Sequence, residues 1–227
     1  MAAKTRLSDY NREQLETLRI VRKHLAELPE SQTRMLQERI ADYLAFRSDV
    51  DSFLQENFAS LCSRTCYTSR LSACCSREGI ITFFADVVIN CLQSTGEDLD
   101  GLQQNLLGAQ NQDKCVYLTS DGCRWRVRPI VCAMFLCNRA AKTVFEARPS
   151  LQHQWETLCR RKQRFTWPDR PVLFDDLEAF FIDRGCTSSL MYLHNSPGLL
   201  RVKQTGQVKK TKAQRLTKDC EVQSDPP

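Results

Sequence analysis

Only eight of the 227 residues are glycine, and neither a GxGxxG nor a Walker sequence occurs. That excludes the common glycine-rich phosphate cradles. No apolar run approaches the roughly 20 residues that a membrane-spanning helix needs. The N-terminal stretch MAAKTRLSDYNREQLETLR is polar and has no apolar h-region, so no secretory signal is expected there. Histidine is scarce too. His24, His153 and His194 stand far apart. They read as surface or packing residues, with His153 and His194 as candidate acid–base groups. There is no internal repeat. The acids Asp175, Asp176 and Glu178 fall where a helix begins, a place the helix dipole favours for negative charge. They read as that, and not as a catalytic carboxylate pair.

Cysteine is abundant, with twelve residues. Without an export signal the expected compartment is the cytoplasm, where disulfides rarely persist. Twelve thiols in 227 residues is also too dilute for a disulfide scaffold. Clustered thiols in such a chain point to metal or redox chemistry. Eight of them fall in two groups: Cys62, Cys66, Cys74 and Cys75, then Cys115, Cys123, Cys132 and Cys137. Thiolate is the soft ligand selected by zinc, Cu(I) and iron–sulfur clusters. The eight can supply two four-thiolate sites, or one site with the rest structural or redox-active. Their spacing is neither that of a zinc ribbon nor that of a bacterial ferredoxin.

The net charge is +5, but seven cations and no acid lie between Arg201 and Lys218. The remainder is near neutral, so the folded part does not read as a nucleic-acid binder. The tail from 201 to 227 reads as basic and disordered, with weak nucleic-acid or membrane contact as the alternative role.

The expected fold is mainly α. Leu15, Leu18, Val21, Leu25 and Leu28 share one face of a helix over 10–28, which Pro29 ends. Ser31 is placed to cap a second long helix reaching about Leu61. A short connection between two amphipathic helices predicts an N-terminal antiparallel hairpin over 1–61. It serves either as half of the core or as a surface for a protein partner. Residues 62–200 then form a cysteine-cluster helical domain. Within it, Cys62 to Cys75 reads as a loop. A helix follows from Ile80 to about Leu92, with Cys91 in its apolar row, and Gly96 is read as its end. Asp98 is read as the cap of a short helix carrying Leu99, Leu102 and Leu106. The strands 115–119 and 123–127 flank Ser-Asp-Gly, a β-hairpin signature. Beyond Pro129 the spacing predicts one helix from Cys132 to about Phe145, with Cys132 at a thiolate-favouring N-terminus. Two more helices are expected, over 151–162 and from about Leu173 to Gly185.

The residues Cys74-Cys75, Gly79 and IITFFADVV, followed by Cys115, Leu118, Asp121-Gly122, Cys123, Arg128-Pro129, Cys132 and Cys137, resemble the YkgJ-like cysteine-cluster family. The likeness covers about residues 62–137. The chain departs from that pattern in the spacing of Cys62 and Cys66 and in having Ala133 and Leu136. The resemblance implies iron–sulfur or zinc binding through the eight cysteines, and eight thiolates favour an iron–sulfur cluster of the 4Fe–4S type over zinc. A related cysteine pattern occurs in flagellin lysine methylases. Three functions follow as expectations. One is a metal or iron–sulfur protein with a redox, sensing or accessory role, in which Arg128 donates to cluster sulfur. Another is a metal-dependent protein-modifying enzyme. The third is an interaction protein with a structural zinc site.

Overall fold

The structure is a computed structural model. It describes residues 7–64, 75, 81–108, 114–120, 122–166 and 172–192. Cys66, Cys74, Gly79, Asp121, His194 and the basic tail lie outside the described residues. The architecture is mainly helical with one small antiparallel sheet. No helix among the described residues is long and apolar enough to cross a membrane.

The first helix, α1, spans Asp9–Glu27, and the Ser8 hydroxyl accepts from the Asn11 N–H at its start. It buries Leu15, Leu18 and Val21. Pro29 separates it from α2, Glu30–Cys62, which starts at Pro29 and not at a Ser31 cap. That helix is 33 residues long, or roughly 50 Å at 1.5 Å each. Its inward face carries Leu36, Ile40, Tyr43, Phe46, Val50, Phe53 and Phe58. The main contacts of α1 are with α3 (Phe84–Gln93) and α4 (Gly96–Leu107). Those of α2 are with α6 (Asn138–Ala147) and α7 (Pro149–Thr166). Both N-terminal helices therefore contribute side chains to the core, each against different partners. Met35 is the only large apolar side chain exposed on either of them among the described residues, so neither presents an apolar stripe.

Helix α8, Leu173–Ile182, closes the core against α3 and α7. Rings from four elements meet there. Tyr43 lies 5.3 Å from Phe165 and 5.6 Å from Phe174, and Phe84 lies 5.2 Å from Phe181. The acids at the start of α8 have structural tasks. Asp175 accepts from the Val172 N–H at 3.0 Å, and Glu178 from the Tyr192 N–H at 2.8 Å. Gly185 follows the helix at φ +77°, as a terminating glycine does. Cys91 is buried in the core, as expected.

Helix α3 begins at Phe84 and not at Ile80, and three further boundaries differ from the sequence reading. Gly96 opens α4 and does not close α3. The cap is Thr95, whose hydroxyl accepts from the Asp98 N–H while the Asp98 carboxylate accepts from the Thr95 N–H. This Thr-x-x-Asp exchange is a capping box. The hairpin is short: β1 is Leu118–Thr119 and β2 is Gly122–Cys123, with Leu118 opposite Cys123. The single helix expected from Cys132 is broken into α5, Ile130–Ala133, and α6. The break falls at Cys137, whose sulfur accepts from the Ala140 N–H at 3.4 Å and so caps α6.

Gly122 sits at φ +109°, a conformation closed to L side chains without strain. Gly122→Ala is expected to lower stability by about 1–3 kcal/mol, read as the urea midpoint. An unchanged midpoint would show that the turn relaxes freely.

Candidate metal centre

Five thiols line one pocket of about 530 Å³: Cys62, Cys75, Cys115, Cys123 and Cys132. Helix α2 forms one wall, through Leu54, Phe58 and Cys62. The segment from Cys115 through the hairpin to α5 also lines the pocket and supplies Cys115, Cys123 and Cys132. Phe135 and Leu136 complete the apolar side. The two cysteine groups of the sequence are joined directly: the Cys115 N–H donates to the Cys75 carbonyl at 2.9 Å. Cys137 does not line the pocket, because it is the α6 cap. Cys66 and Cys74 lie outside the described residues. Cys159, buried on α7, is disulfide-bonded, unlike these free thiols. His24 is half-buried beside Phe181, with its Nδ1 at 3.6 Å from the Cys186 sulfur, and has no place in the pocket.

Backbone N–H groups near the sulfurs, of Tyr117 and Leu118 at Cys115, of Trp125 at Cys123 and of Ile81 at Cys132, pull these thiols down. Such donors favour thiolate over thiol. Burial opposes them and wins. It pushes Cys115 up to about 11 and Cys132 up to about 12, and it raises Cys123 as well. The neighbouring charges of Cys115, Asp86 and Cys123 add to the rise at Cys132. The expected lowering of Cys132 by a helix start is therefore reversed. Its helix has four residues, and its surroundings are buried and acidic. Arg128 pulls Cys123 down but is itself shared with Asp51 at 3.1 Å.

The segment carrying Arg128-Pro129 is held by three buried side chains. Asn90 accepts from the Val127 N–H at 3.0 Å. Arg47 donates to the Arg128 carbonyl at 2.6 Å. Asp86 accepts from the Ile130 N–H with one oxygen and from the Phe83 N–H with the other, both at 3.0 Å. Proline at 129 has no N–H to satisfy, so every backbone donor of residues 127–130 except that of Arg128 has a buried partner or needs none. Arg47 is 4 % exposed and Asp86 3 %. Sequence reasoning passed over Asp86, Asn90 and Arg47. Their one signal is that Asp86 and Asn90 sit four apart in the otherwise apolar run FADVVINC, a polar pair on a buried face.

The donor set fits a soft metal in kind, since five thiols line one pocket and thiolate is the ligand soft metals select. Among the described residues no three His, Cys, Asp or Glu side chains gather closely enough to hold a single ion. The thiols are spread along the walls and not focused on one point. The chain has no significant match among protein-family models, curated proteins or solved structures.

Proposed function

We propose that this chain is a cysteine-cluster metalloprotein whose pocket binds an iron–sulfur cluster through Cys115, Cys123, Cys132 and Cys75, with zinc as the alternative metal. The observation that carries the reading is that five thiols from both cysteine groups line one pocket. Zinc bound by four thiolates asks for sulfurs about 2.3 Å from one point. In a cluster each cysteine reaches a different iron, which suits thiols spread along one pocket. The resemblance to the YkgJ-like family supports the same reading.

When bound, an iron–sulfur cluster supplies one-electron chemistry. The chain's own residues set the conditions for it. The N–H groups of Tyr117, Leu118, Trp125 and Ile81 spread negative charge away from the sulfurs. Arg128 adds a positive charge beside Cys123. Leu54, Phe58, Phe135 and Leu136 keep water from the apolar side. A redox, sensing or accessory role fits this arrangement best. One observation favours the protein-modifying reading as a second choice: the apolar half of the pocket leaves room beside the thiols, as a substrate site would.

Differential alkylation tests the proposal. In anaerobically purified protein, Cys115, Cys123 and Cys132 are expected to resist iodoacetamide until the metal is stripped, whereas Cys186 reacts alike in both states. Equal labelling of all four before and after stripping sinks the reading.

A further inference from the structure

We infer that Trp125 donates its indole N–H to a sulfur of the metal group held in the cysteine pocket, which makes it a positioning and tuning residue of that centre. The inference rests on the metal reading above and deepens it. Trp125 lines the pocket and is 5 % exposed. Its Nε1 is buried and has no hydrogen-bond partner among the described residues. Buried indole N–H groups are normally paired, and leaving one unmet is costly. The other aromatic donor that lines the pocket is already satisfied: the Tyr117 hydroxyl donates to Gln14 Oε1 at 3.2 Å. The Trp125 ring stands edge-on to Tyr117, with centroids 5.2 Å apart at 80°, so packing fixes the indole. A residue that lines the thiol pocket and has one unused buried donor suits an acceptor that arrives with the ligand. Metal-bound thiolate or inorganic sulfide is such an acceptor.

The donor acts by stabilising negative charge on sulfur. The reduced state of a cluster carries more of that charge, so removing the donor disfavours reduction. Trp125→Phe keeps the ring and its contact with Tyr117 and removes only the N–H.

The test uses full-length protein purified anaerobically, with metal and sulfide measured first. Wild-type protein without metal overturns the metal reading, and this inference with it. Where the wild type carries a cluster, the W125F midpoint potential is expected to shift to more negative values. Where it carries zinc, transfer of the metal to a chelator is expected to speed up roughly tenfold, the equivalent of one ordinary hydrogen bond. A loaded W125F protein with the wild-type potential or transfer rate overturns the role of Trp125 and leaves the metal reading intact. If W125F fails to load, the wild type still decides. With 15N-labelled tryptophan, the Trp125 indole N–H signal is expected to move and to gain protection from solvent exchange on metal loading. A signal unchanged between stripped and loaded protein means that the indole is bonded to water or to nothing, and refutes the inference.

Discussion

Replacing Asp86 with alanine lowers the unfolding free energy by about 3–5 kcal/mol, the cost of orphaning buried partners. The carboxylate serves two backbone donors, the Phe83 N–H at the start of α3 and the Ile130 N–H at the start of α5. Both are left without an acceptor in the variant. The buried Arg47 guanidinium also loses the nearest negative charge acting on it from α3. Urea unfolding of wild type and Asp86→Ala at one pH checks the figure. A loss under 1 kcal/mol would mean that the Ile130 segment finds other partners.

The same residue gives a pH dependence. Burial raises the Asp86 carboxyl from 3.8 to about 7, against the pull of the two N–H groups and Arg47. The folded state therefore holds this proton more tightly than the unfolded chain does. The resulting stabilisation is complete below about pH 4 and is lost as pH rises through about 7. Wild-type stability is expected to fall across that window relative to Asp86→Asn, which has no proton to lose. Parallel pH profiles for the two proteins would contradict the raised value.

Loss of a pocket thiol has the second large effect. Cys123→Ser and Cys132→Ser are each expected to cut bound metal roughly tenfold or more, because a hydroxyl is a poor ligand for soft metals. Cys186→Ser is expected to leave metal content unchanged, since its sulfur faces His24 and not the pocket. Metal analysis and thermal unfolding of the three variants separate the outcomes. Equal metal losses with equal drops in melting temperature would point to general misfolding and not to ligation.

Much of the fold was legible because the long helices are amphipathic. Leu15, Leu18 and Val21 mark α1, and Leu36, Ile40 and Tyr43 mark α2, within a residue or two of their ends. The break between α5 and α6 was not legible. Apolar positions continue across it, and a cysteine sulfur is not among the usual N-cap groups. The hairpin was read too long because its second half has other obligations: Trp125 is buried and the Val127 N–H belongs to Asn90. In the candidate site, the cysteine pattern led to residues that line one pocket, and the Cys115 N–H donates to the Cys75 carbonyl, so a residue of each group lies there. The supports did not show. Arg47 reaches a carbonyl 81 positions away, and Asp86 an N–H 44 positions away. Contacts of that range leave no local signature in the chain.

The central claim is that these thiols hold a metal. Iron, zinc and acid-labile sulfide per chain, measured with the visible spectrum after anaerobic purification, test it most directly. The account predicts a coloured protein with iron and sulfide in matching amounts. A colourless protein with neither iron nor zinc, and with every pocket thiol open to alkylation, would contradict it.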